Sequence, residues 1–475
     1  MRIKAAYSFG IALVCAALLA GCLPGGRVPV RPEQIEVKPL DFKPPKAEKF
    51  EGPGGMTVYL MTDRELPLVA MTAWFRVGRI YDPADKVGLA RLTGEVMRTG
   101  GAKGLGYEQM DEELEFLAAG VESGIGEEFG KVSMDCLKKD LGRVFEIFSL
   151  VAREPAFAPE KVDLAKNQLI ESLRRRNDDP EEILRREFRY LIFGKNSPWA
   201  RQPKIAEVAK LTRDDLAAFH HDYVAPDRMI LAVSGDITRA ETESLLKERF
   251  GDWAAKGKPL PEAAPIDPNP PASVNLIEID KTQSQIRIGH PGPRRGGPDE
   301  AAFEVLNEIF GTGMTSRMFQ DIRSTRGLAY SVYGFLVPGK DRGFFITSAG
   351  TKSQSTVECA QAMLGQIHGL STNPPTPTEL MEAQSALVKK MVFQYDSAEK
   401  IVNRRAELEL LGYPPDYLET YAQRVRAVTL ADLKRVIATD IHTGGLITLV
   451  VGHSEAFDHP LGQLGAVKKI ELEKD

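Results

Sequence analysis

The strongest constraint on the fold is a pattern that the chain carries twice. Thr212, Asp215 and Leu216 open a stretch with helical spacing, and the apolar run Met229–Val233 follows it and ends at Gly235. Thr429, Asp432 and Leu433 lead in the same way to Leu446–Val451 and Gly452, and the separation from Thr to Gly is 23 residues in both. Independent landmarks upstream, Pro159 with Ala165 and Pro377 with Ala383, repeat at an offset of 218, against 217 for the first pair. A threonine hydroxyl at the start of such a segment caps free helix N–H groups, and Asp in the first turn suits the positive end of the helix. A short apolar run closed by glycine reads as a buried strand. The chain is therefore expected to be a duplication, and at 475 residues it is long enough for two cores.

Within each half the order reads strand, helix, strands, several helices and a final strand. Val69–Val77 alternates like a strand, Val87–Met97 has helical spacing, and Phe129–Met134 alternates again. Glu160–Phe193 reads as one long helical stretch, and its run Arg174, Arg175 and Arg176 beside Asp178 and Asp179 reads as a solvated helix face. Strands and helices arranged in blocks point to an α+β class, two homologous domains each with an antiparallel-rich sheet packed with helices on one face. A proline cluster between Pro259 and Pro271 divides the halves. The expected organisation is a leader over 1–21, a Pro-rich tether over 22–50, and a first domain over 51–255. A linker over 256–273, a second domain over 274–456 and a tail over 457–475 follow.

The first residues read as an export signal: Arg2 and Lys4, an apolar stretch from Ile11 to Leu19, then small residues. Leu19, Ala20, Gly21 and Cys22 resemble a bacterial lipobox, which implies lipidation of Cys22 after cleavage before it. Prolines between Pro24 and Pro45 favour an extended spacer. Leu23 after Cys22 is not the Asp that retains many lipoproteins in an inner membrane. The expected place is thus the outer membrane, facing the periplasm, in a cell with such sorting. Cys136 and Cys359 lie one in each half and are expected as buried thiols, with a bridge between them left open. The formal charge of −5, with Lys and Arg scattered among acids, argues against nucleic-acid binding.

Gly88-Leu89-Ala90-Arg91-Leu92-Thr93-Gly94-Glu95 is similar to the first-half signature of the insulinase/pitrilysin zinc peptidases, a family that includes mitochondrial processing peptidases. The likeness covers roughly residues 50–455. Active members carry His-x-x-Glu-His directly after Gly-Leu-Ala. The two histidines bind zinc from one helical face, and the glutamate between them acts on the attacking water. Here Arg91, Gly94 and Glu95 stand at those positions, so the motif is degenerate and has neither imidazole nor general base. The family's third ligand would fall near Glu171 or Ser172. None of the seven histidines pairs with another at helical spacing, and His453 and His459 read as loop residues.

In the second half, Thr312–Phe319, Asp321-Ile322-Arg323 and Gly327-Leu328-Ala329-Tyr330-Ser331 are similar to the family's C-terminal signature. There an Arg and a Tyr seven residues apart bind substrate near the scissile carbonyl, which implies substrate binding by Arg323 and Tyr330. Both are donors suited to developing oxyanion charge. The resemblance implies a non-catalytic, substrate-binding or regulatory subunit of a heterodimeric zinc peptidase acting on peptides or unfolded proteins. No cofactor is expected on this chain, zinc being expected only on a homologous partner. The alternative is a non-enzymatic structural or peptide-binding envelope lipoprotein, with Arg323 and Tyr330 as remnants.

Overall fold

The computed structural model describes residues 43–253, 256–262 and 266–473; Cys22, the leader and most of the tether lie outside the described residues. The first half contributes strands β1 (Glu48–Glu51), β2 (Thr57–Thr62), β3 (Leu68–Phe75), β4 (Gly120–Ile125), β5 (Gly130–Leu137) and β6 (Met229–Gly235). They form a six-stranded sheet in the order β1-β2-β6-β3-β5-β4. Strands β7 (Ser273–Glu278), β8 (Gln283–Pro291), β9 (Ala329–Val337), β10 (Phe344–Lys352), β11 (Ile447–Gly452) and β12 (Val467–Lys469) form the second sheet. Its order is β12-β7-β11-β8-β10-β9.

The wiring repeats. The last long strand of each half inserts beside the first, β6 parallel to β2 and β11 parallel to β7, and antiparallel to β3 and β8 on its other side. A parallel return needs a long crossover, and the helices between supply it. The first half holds α1 (Leu89–Thr99), α2 (Tyr107–Phe116), α3 (Leu141–Arg153), α4 (Pro159–Arg174), α5 (Pro180–Phe193), α6 (Arg213–Tyr223) and α7 (Arg239–Phe250). The second holds α8 (Glu300–Asn307), α9 (Thr356–Thr372), α10 (Pro377–Gln394), α11 (Ala398–Leu410), α12 (Tyr417–Ala427) and α13 (Leu430–Asp440), with π-helical turns at Glu308–Thr312 and Phe319–Thr325. The landmarks fall on equivalent elements. Thr212 and Thr429 each close a capping box with the Asp three residues on, and Pro159 and Pro377 begin α4 and α10. The duplicated α+β fold is as expected from the sequence.

The stretch read as one long helix is two. Asp179 accepts the backbone N–H groups of Glu181 and Glu182 and Pro180 starts a new helix, so α4 stops and α5 sets off in a new direction. That break has a consequence for the cores. Helix α5 packs against β8 and β11 of the second sheet, and α11 packs against β2 and β6 of the first. Each sheet thus has its own helices on one face and a helix of the other half on the opposite face. Val402 and Ala406 of α11 are fully buried with Tyr59, Ile230 and Ala232, and Ile447, Leu449 and Val451 join the core of the first half. Trp74 donates its indole N–H to Asn403 at 3.0 Å across the same seam.

Two stretches expected outside the domains carry strands. Phe50, in the expected tether, pairs with Val58, and β12, in the expected tail, runs parallel to β7. Both are short, mostly exposed edge strands held by main-chain hydrogen bonds, so no apolar pattern marks them. Cys136 and Cys359 are buried free thiols, and burial pushes both up to about 12. Among the described residues no helix is long and apolar enough to cross a membrane.

Candidate functional site

Helix α1 is entered through Gly88, whose φ of 103° is a left-handed conformation that glycine adopts without cost. Asp82, 4% exposed, accepts the N–H groups of Gly88 at 2.8 Å and Ala90 at 2.7 Å, so a carboxylate saturates the helix N-terminus. Burial raises the Asp82 carboxyl to about 6 against the pull of those hydrogen bonds. Leu89, Ala90, Leu92, Thr93, Val96 and Met97 face the core.

At the position where the family's general base stands, the backbone of β4 lies against the helix. A Cβ on Gly94 would lie 2.2 Å from the Ile125 nitrogen and 2.7 Å from the Gly124 carbonyl carbon. Ser123 Oγ donates to the Gly94 carbonyl at 2.6 Å and ties the two elements together. Gly94 is therefore a packing requirement, and no side chain of any kind fits there. Arg91 is exposed and lines a cavity of about 600 Å³ whose far wall includes Ser172. The Ser172 hydroxyl donates to the Leu169 carbonyl of its own helix at 2.7 Å, and Glu171 pairs with Arg174. Of the positions matched to the family's zinc ligands, Arg91 and Ser172 line one cavity, Glu95 is not among its lining residues, and Glu171 is taken by Arg174. These do not make a tetrahedral zinc site. Among the described residues no group of three or more His, Cys, Asp or Glu converges so as to hold a metal.

Two histidines are buried and serve packing. Buried His220 lies with Nε2 2.9 Å from the Ala152 carbonyl. His290 donates from Nδ1 to the Pro291 carbonyl at 2.8 Å and accepts the His442 backbone N–H on Nε2 at 3.0 Å. Burial lowers both imidazoles to about 4, and a proton on His290 Nε2 would face another donor.

Arg323 lies in the π-helical turn and Tyr330 is the second residue of β9, the free edge of the second sheet. The structure brings them together: the Arg323 guanidinium carbon sits 4.9 Å from the Tyr330 ring centroid and 4.8 Å from that of Phe319. Tyr330 is 85% exposed, and the pair lines a second cavity of about 650 Å³ with Glu181 of α5 opposite.

Sequence reasoning missed the wall facing Arg91. Arg174 and Arg175 of the run are exposed, as a solvated face expects, but Arg175 and Arg176 also line the first cavity together with Arg186, Arg189 and Arg201. Helical periodicity alone carries no signal for this, because the wall is assembled from separate elements.

The chain matches two family models, one described as insulinase (peptidase family M16) over residues 57–197 and one described as peptidase M16 inactive domain over residues 210–387. The chain belongs to the M16 peptidase family. Among its relatives is an uncharacterized zinc protease of Mycobacterium tuberculosis, 27% identical over 307 residues, which are 63% of this chain and 69% of that protein. A non-peptidase homolog of Helicobacter pylori is 20% identical over 393 residues, 82% of this chain and 90% of the relative. The crystal structure of a peptidase M16 inactive domain from Pseudomonas fluorescens superposes with a TM-score of 0.80 at 22% identity, covering 87% of this chain and 99% of that one. This M16 chain is a non-catalytic homologue of the insulinase-type peptidases: it keeps the fold and the α1 scaffold without the metal chemistry.

Proposed function

We propose that this M16 chain is the non-catalytic, substrate-binding subunit of a heteromeric zinc peptidase that acts on peptides or unfolded proteins in the cell envelope. The observation that carries the reading is the contrast between the halves. Helix α1 has no room for a general base, whereas Arg323 and Tyr330 remain paired at an exposed sheet edge beside a cavity. A zinc-bearing homologous chain would supply metal and base. Arg323 and Tyr330 would supply donors to the carbonyl under attack, and the free edge of β9 would take an extended peptide through main-chain hydrogen bonds. The lipobox-like sequence ending at Cys22 supports tethering to the outer membrane, facing the periplasm; Cys22→Ser is expected to release the protein from membranes on fractionation.

The test mixes the purified chain with a zinc-bearing homologue and follows peptide hydrolysis. Arg323→Ala is expected to slow the mixture roughly a hundredfold, the scale of losing one oxyanion donor. An unchanged rate would remove Arg323 from the active site. One observation favours the alternative of a structural or peptide-binding lipoprotein: Arg323 is sandwiched between Phe319 and Tyr330, as a purely structural pair would be. On that reading Arg323→Ala lowers stability without touching the partner's activity.

A further inference from the structure

We propose that the cavity beside α1, where active relatives carry out zinc chemistry, has become a carboxylate-binding site that selects acidic segments of a bound peptide. This rests on the peptide-binding reading above and deepens it. Eight arginines and four carboxylates line the cavity, an excess of four positive charges. The carboxylates are already engaged. Asp82 holds the N-terminus of α1, Glu127 takes Arg79 at 2.6 Å and Arg189 at 2.7 Å, Asp179 caps α5, and Glu182 pairs with Arg185. Arg91 and Arg175 are exposed and have no side-chain partner among the described residues, and the Nε of Arg201 is buried without an acceptor.

A solvated helix face presents arginines side by side along one element. These converge on one space from α1, the end of α4, α5 and the segment around Arg201. Guanidinium forks match carboxylates in pairs of parallel hydrogen bonds, and charge excess in a concave site strengthens that attraction. The geometry favours a peptide over a small anion. At about 600 Å³ the space is large for one phosphate, and the neighbouring strand β4 is the free edge of the first sheet. Strand β4 ends at Ile125, and Glu127, two residues on, lines the cavity. A peptide added along that edge would be led to the arginines.

The experiment uses the full chain, a fluorescent glutamate-rich peptide and a glutamine counterpart of the same length, and measures anisotropy. The glutamate peptide is expected to bind about tenfold more tightly. Raising salt and the double substitution Arg91→Glu with Arg175→Glu are each expected to abolish the preference. Both arginines are exposed and unpaired, so the substituted chain keeps its core. Equal binding of the two peptides, or a preference unchanged by the double substitution, overturns the acidic selectivity and leaves peptide binding standing. If neither peptide binds, the peptide-binding reading falls with it. Inorganic phosphate that displaces the glutamate peptide far beyond chloride at equal ionic strength assigns the cavity to small anions and also overturns the proposal.

Discussion

Gly94 decides what the residues around it can do. With Ile125 nitrogen 2.2 Å from a would-be Cβ, even Gly94→Ala must push α1 and β4 apart. We expect that substitution to cost about 2–3 kcal/mol in denaturant unfolding, the scale of overpacking a filled core; a cost near zero would mean that β4 yields easily. Restoring the family motif by Arg91→His, Gly94→Glu and Glu95→His together is expected to give a less stable chain that takes up no stoichiometric zinc. The sequence displayed the missing side chain at Gly94 but not its cause, because β4 reaches α1 only through tertiary packing. A second expectation concerns pH. His220 and His290 are neutral and buried with values near 4, whereas an unfolded imidazole takes a proton near 6.5. Their contribution is complete above pH 6.5 and is lost as pH falls toward 4, by about 2 kcal/mol each at pH 5. Asp82 acts in the opposite sense between 3.8 and about 6, since its folded form holds the proton, and offsets roughly 1 kcal/mol of that loss. Melting temperature is expected to drop between pH 7 and 5, with a shallower slope in His290→Gln; identical slopes would contradict the assignment.

Elements show which parts of the fold were legible. The capping boxes at Thr212 and Thr429 could be read because capping is local, and removing either hydroxyl with Ala is expected to cost about 1 kcal/mol by thermal or chemical unfolding. Arg323 and Tyr330 are singled out through the family resemblance, not through any local pattern, and the structure sets the guanidinium 4.9 Å from the ring centroid. The exchange of α5 and α11 between the halves was not legible. An amphipathic helix reveals its apolar face but not which sheet that face covers, and the break at Asp179 and Pro180 lies inside a stretch whose leucines and arginines suggest continuity. Because α11 closes the back of the first sheet, Val402→Asp places a charge in that seam and is expected to cost at least about 4 kcal/mol. The loss should be read in both halves at once, as one cooperative transition followed by probes in each. Separate transitions would show that the shared seam couples them weakly.

At the scale of the whole molecule, a duplicated M16 body keeps the two-sheet scaffold, closes α1 against β4 and lines the cavity beside it with arginine. The fold class followed from the repeat, while the charge of the cavity emerged only when α1, α4 and α5 were placed around it. On the proposed reading, water attacks an amide here only with a Lewis acid and a proton acceptor; Arg91 and Gly94 offer no metal ligand and no base, and Glu95 alone cannot hold zinc. The most direct measurement is of zinc content and peptide hydrolysis on the same purified preparation of the chain alone. Zinc well below one atom per chain and no chelator-sensitive hydrolysis are expected; stoichiometric zinc with hydrolysis that a chelator stops would contradict the account.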